Sequence, residues 1–255
     1  LDRVSFEEFQ AQRKPRFGKS NPERMEMPHW EWMVRTRLNS YMARCEHKAD
    51  MDECFDRAKE WKPDWCFDRF GLSRTHMPDG RIICIGGEHE DWYDPDFCIF
   101  NDVVVLRPAP GNHDVDTETG EIEIYGYPET TFAPTDFHSA TLVEERIFVI
   151  GSLGYMHTRK SDHCPVRTLD TNDYRIDSPK TKGSGPGWIS HHHASYDKSM
   201  HCITVRGGKR CKGDDYVVNR GVHRLHLEGL KWEQIAENEQ HFRYLFRCVE
   251  QTGLS

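Results

Sequence analysis

The stretch richest in reactive groups is Glu88-His89-Glu90-Asp91-Trp92-Tyr93-Asp94-Pro95-Asp96, where five acids, one histidine and two aromatics follow the Gly86-Gly87 pair. Carboxylates at this density suit a divalent cation, which takes hard oxygen ligands, or a basic partner gripped by charge with aromatic anchors. A solvated turn whose aromatics fold back is the plainer reading. The partner-binding residues expected here are His89, Asp91, Trp92 and Tyr93. Trp188 joins them at the end of Gly183-Ser184-Gly185-Pro186-Gly187, a glycine-rich linker without the lysine placement of a phosphate loop. A second group is His191-His192-His193. Successive strand residues face opposite ways, so at most two of these histidines share a face. Metal ligation would need His192 to be joined by His89, His138 or Asp136; a structural role for His138 and His192 is the alternative. No Gly-x-Ser-x-Gly elbow and no His-Glu-x-x-His pair occurs, and catalysis is not expected.

Composition narrows the classes further. A net charge of -8 without a long basic run argues against general nucleic-acid affinity. No apolar stretch is long enough to span a bilayer, so membrane insertion is not expected. The nine cysteines are scattered, with no Cys-x-x-Cys pair, which fits reduced thiols in an intracellular compartment and no bound cofactor. Seven Trp, nine Tyr and thirteen Phe supply enough apolar area for a packed core despite a modest hydrophobic fraction.

The elements that must position these residues change character along the chain. Trp30, Met33, Val34, Leu38, Tyr41 and Met42 recur at spacings of three and four and predict one helix beginning after Pro28. Met51, Cys54, Phe55 and Ala58 predict a second. Their stripe either packs on the rest of the chain or docks a separate protein. From Gly71 onward the period is that of strands. Arg81–Gly87, Arg146–Ser152 and His201–Gly208 are three copies of a β-branched strand ending in glycine, with lead glycines at 86, 151 and 207. Each is followed by a variable loop and two more strands, and two are preceded by the histidine-bearing strands at 137–143 and 191–196. Four strands per copy is the content of one propeller blade.

His138-Ser139-Ala140, the Gly86-Gly87 and Gly207-Gly208 pairs, Asn101-Asp102-Val103 and Trp232 stand in the order that resembles kelch repeats. The pattern is also similar to propeller domains of galactose-oxidase-like and bacterial kelch-motif proteins. The resemblance implies a mainly β, kelch-type β-propeller, partial or few-bladed, since three copies are clear. With the helical spacing that precedes it, the expected division is a helical N-terminal extension over 1–65, kelch blades over 66–236 and a tail or short helix over 237–255. Glu90 and Asp94 also match the first two places of a Glu-x3-Asp-x3-His iron pattern known in some kelch proteins, with Cys98 in the third place. The expected function is a non-catalytic interaction or scaffold protein, possibly a subunit of an assembly, whose partner is another protein or a second copy. The alternative is a metal-dependent enzyme or metal-binding protein using a His/acid cluster on the propeller face.

Overall fold

The computed structural model describes residues 3–47, 63–91, 94–112, 115, 117, 119–213 and 215–237. The chain is mainly β, built of several antiparallel sheets, and no sheet closes on itself among the described residues. It divides into two compact units: Leu1–Phe137 with Leu169–Asp177, and His138–Thr168 with Ser178–Ser255.

In the first unit three helices precede the strands: α1 (Phe6–Gln12), α2 (Pro28–Thr36) and α3 (Ser40–Glu46). Ser5 and Glu8 form a reciprocal capping box on α1. Pro28 opens α2, as the missing N–H of proline allows. The single helix expected from Trp30 to Met42 is in fact two, because Arg37 turns left-handed at φ 57° and Asn39 caps α3 by accepting from the Met42 amide. The break takes Tyr41 and Met42 out of the stripe, leaving them 57% and 43% exposed. Trp30, Met33 and Val34 remain fully buried. The second predicted helix, with Met51, Cys54, Phe55 and Ala58, lies outside the described residues, as does the tail beyond 237.

The helices pack on a five-stranded sheet of order β1-β7-β6-β3-β2, where β1 is Glu23–Arg24, β2 Ser73–His76, β3 Ile82–Ile85, β6 Val103–Arg107 and β7 Glu121–Gly126. Between β3 and β6 the chain makes a separate hairpin of β4 (Glu88–Asp91) and β5 (Asp94–Ile99). The core joins Trp30, Met33 and Val34 of α2 to Cys84, Val104, Leu106 and Ile124 of the sheet. Trp30 stacks on Trp65 at 4.7 Å and 4°. Arg69, whose side chain is wholly buried, pairs with Asp102 and lies 3.6 Å from the Phe100 ring centre, while Trp65 donates to the same carboxylate at 2.6 Å. Asp102 therefore ties the segment 65–69 to the start of β6. Burying this charge is tolerable because each partner is satisfied. Asn101 beside it donates to the Tyr127 and Phe132 carbonyls, which fixes the chain leaving β7. The short strand β11 (Ile176–Asp177) ends the returning segment, where Tyr127 donates to the Tyr174 carbonyl at 2.8 Å.

The second unit opens with β8 (Ser139–Val143) and β9 (Arg146–Ile150), a hairpin continued by β10 (Val166–Asp170), within which the division between the units falls. It then forms a sheet of order β12-β19-β18-β15-β14, with β12 Lys182–Gly183, β14 His193–Asp197, β15 Cys202–Arg206, β18 Gly221–His226 and β19 Lys231–Glu237. Neighbours are antiparallel except β12 and β19. A three-stranded sheet of this unit joins β13 (Ile189–Ser190), just before β14, to β16 (Lys209–Lys212) and β17 (Asp215–Val218), which lie between β15 and β18 in the chain. Ile150, Val166, Ile189, Ile203, Val205, Leu225 and Trp232 form its core.

Strands predicted at the three glycine-terminated copies all form, as β3, β9 and β15, and those predicted to follow them form as β6, β10 and β18, then β7, β11 and β19. The predicted inner strands appear as β8 and β14. The structure adds β2, which pairs residue for residue with β3 from Ser73↔Ile85 to His76↔Ile82. In the first copy β2, β3, β6 and β7 are hydrogen-bonded in sequence order, and in the third β14, β15, β18 and β19 are. Among the described residues no helix is long and apolar enough to cross a membrane.

Candidate functional site

The glycine turns decide where the variable loops begin. Gly86, Gly151 and Gly207 all have positive φ, at 60°, 75° and 67°. At Gly86 a Cβ would overlap the Thr135 carbonyl oxygen, and at Gly151 it would overlap that of Ile189. The Gly87 and Ser152 amides donate to those same carbonyls at 2.8 Å. Each of these two turns thus grips a carbonyl in the segment that leads into the next inner strand. The connections between the second and third strands run over 86–102, 151–165 and 207–220, and of the expected partner-binding residues only His89, Asp91, Trp92 and Tyr93, all in the first, fall within them.

In the first unit this connection is the β4–β5 hairpin. Its base is held by Glu88 and Phe70, which exchange backbone hydrogen bonds of 2.8 Å, and by the Phe100 amide donating to Gly87. His89 is 6% exposed and donates from Nδ1 to the Asp68 carbonyl at 3.1 Å, so much of its surface is turned inward. Asp91 lies at the end of β4, and Trp92 and Tyr93 lie outside the described residues. The structure supplies a feature that the loop's composition does not reveal. Glu88 hydrogen-bonds to Asp136, a fully buried carboxyl 48 residues on. Burial first, then the Asp136 and Glu90 charges, push the Glu88 carboxyl up to about 7.

In the second unit His138 and His192 are electrostatic neighbours. Burial drives His138 down to about 4 and, with His138, His191 and His193 nearby, drives His192 down to about 3. Both are neutral imidazoles at neutral pH. His192 lies 2.8 Å from the Ser139 hydroxyl through Nε2, a bond between neighbouring inner strands. Among the described residues no group of three or more His, Cys, Asp or Glu has the geometry to hold a metal ion. His89 and Asp136 belong to the first unit and His138 and His192 to the second.

Trp188 is 9% exposed, and its indole donates to the Leu153 carbonyl at 3.1 Å. Its ring is committed to the loop at 151–165, and a partner would meet only its edge. The more accessible aromatic is Tyr216 on β17, which sequence reading passed over. Arg159 lies 5.0 Å above its ring, with its guanidinium held by the Leu153 and Gly154 carbonyls. An aromatic residue in a strand of four, flanked by Gly213 and Asn219, is the signal that could have marked it. The seven described cysteines are free thiols, and burial pushes Cys84 up to about 11.

No protein-family model matches the chain, and no curated protein matches it. Among solved structures, one titled "Structure of YjhT" is similar at a TM-score of 0.47 and 14% identity, over 69% of this chain. The match spans 55% of that structure's own length.

Proposed function

We propose that the chain carries kelch-type propeller blades, few in number, behind a helical extension, and acts as a non-catalytic intracellular interaction or scaffold protein. The observation that carries this reading is the repeated placement of the variable connections. Each glycine-terminated strand releases its long insertion at the same topological point, between second and third strands. Such loops on a rigid scaffold are where recognition residues concentrate. Kelch-type repeats also account for the in-order antiparallel sheets and for the carbonyl grip of the glycine turns.

The metal-dependent reading rests on the neutral His138 and His192 side by side. It requires further ligands. Native mass measurement of the species isolated from its own cells, with elemental analysis, separates the two. The interaction reading expects a mass above the 29.9 kDa of the chain, from a partner or further copies, with substoichiometric Fe, Cu and Zn. A lone monomer with a stoichiometric metal would overturn it.

A further inference from the structure

The two units carry opposite charge. The first holds 18 Lys and Arg against 31 Asp and Glu, and the second 16 against 11. The cationic excess of the second unit is concentrated where its connection forms a hairpin. Lys209, Arg210 and Lys212 on β16 are all exposed, and Arg206 and Lys160 are exposed at either end of the flanking segments. Arg159 adds its charge over Tyr216. Among the described residues of this hairpin the carboxylate is Asp215, directly across from Lys212.

The strand beside these cations is an open edge. In the order β13-β16-β17, β17 is terminal, and no described strand pairs with its far side. Its sequence, Asp215-Tyr216-Val217-Val218, is of high strand propensity and lacks the lysine or proline that usually blunts an edge. Tyr216 is 38% exposed, Val218 43%, and Met156 in the short 3-10 turn before Arg159 65%. Lys209 lies opposite Val218 and Arg210 opposite Val217, so cations back both faces of the edge. A strand added outside β17 would run about 10 Å from β16, two strand spacings. Lys and Arg side chains bridge most of that distance, and a glutamate reaching inward completes it.

We infer that the β17 edge of the second unit accepts an extended acidic segment of a partner protein by strand addition. Main-chain hydrogen bonds to β17 supply the affinity; Tyr216 and Val218 take apolar side chains, and Lys209, Arg210 and Lys212 select carboxylates. The inference rests on the interaction reading above and names the class of partner for one of its three connections.

The test uses the full chain and a fluorescent peptide of alternating Glu and Val, roughly eight residues long, the length of an ordinary strand. Anisotropy should report saturable binding that weakens with salt. Lys209→Glu/Lys212→Glu should weaken it at least about tenfold, and the milder Lys209→Gln/Lys212→Gln severalfold, with circular dichroism unchanged. A peptide with Pro at every second position should not bind. Equal binding of that peptide, equal binding of a Lys-Val counterpart, or no effect in either variant would overturn the inference. So would tighter binding of a single-stranded oligonucleotide, or a dimer of the chain that the same variants dissociate. A native complex that survives both variants would remove this assignment and leave the interaction reading standing.

Discussion

Gly86 and Gly207 occupy the same place in two copies of the repeat, yet substitution should affect them differently. Both have positive φ, but a side chain at Gly86 meets the Thr135 carbonyl, whereas nothing lies within 4 Å of a Cβ at Gly207. Gly86→Val should therefore cost about 3 kcal/mol or more, combining left-handed strain with a backbone clash, and Gly207→Ala about 1 kcal/mol. Thermal melts of both variants check the difference, and equal shifts would mean that the turn does not grip Thr135. Glu88 makes a pH prediction. Its folded carboxyl, raised to about 7, holds a proton that the unfolded chain has released, so its contribution to stability is complete below about pH 4.5 and is lost as pH rises toward 7. Glu88→Gln should flatten that decline in melting temperature between pH 5 and 7. At this scale the sequence was partly legible: the glycines announced themselves by ending β-branched runs. The Glu88–Asp136 contact did not, because two carboxyls 48 positions apart leave no local signature.

Among elements, the segment 65–69 is held to β6 through one carboxylate. Asp102→Ala would strand the Arg69 charge in the interior and remove the acceptor of Trp65, at a cost of about 3–5 kcal/mol in chemical denaturation. Replacing the pair together by Arg69→Met and Asp102→Leu should cost less than Asp102→Ala alone. A larger loss in the double variant would show that the ion pair itself stabilises the fold. Strands with continuous apolar runs, such as Val103-Val104-Val105-Leu106, were readable because their burial on both faces needs that composition. β2 was not, since Ser73-Arg74-Thr75-His76 is a polar edge strand that takes its register from β3 and from the Pro78-Asp79-Gly80 turn. The helix break at Arg37 was missed for a related reason. Apolar spacing continues across it, and only the Asn39-Ser40 cap marks the new start.

For the whole molecule, the order of strands was the most legible property, because repetition of a strand pattern is visible without any contact information. The residues that define a surface were least legible: Tyr216 becomes conspicuous only once the register of β16 and β17 places it beside Arg159 and Cys211. The charge split between the units also follows from the three-dimensional division and not from a break in composition. Because the second unit's cations are exposed, association through them should weaken as salt rises from roughly 0.05 to 0.5 M, where the screening length falls to a few ångströms. A salt-independent affinity would place the contact elsewhere. The central claim is that partners meet the connections between second and third strands. Amide hydrogen exchange on the isolated complex, compared with the free chain, tests it most directly. Added protection at 86–102, 151–165 or 207–220 is the predicted result; protection confined to α1–α3 with those three connections unchanged would contradict it.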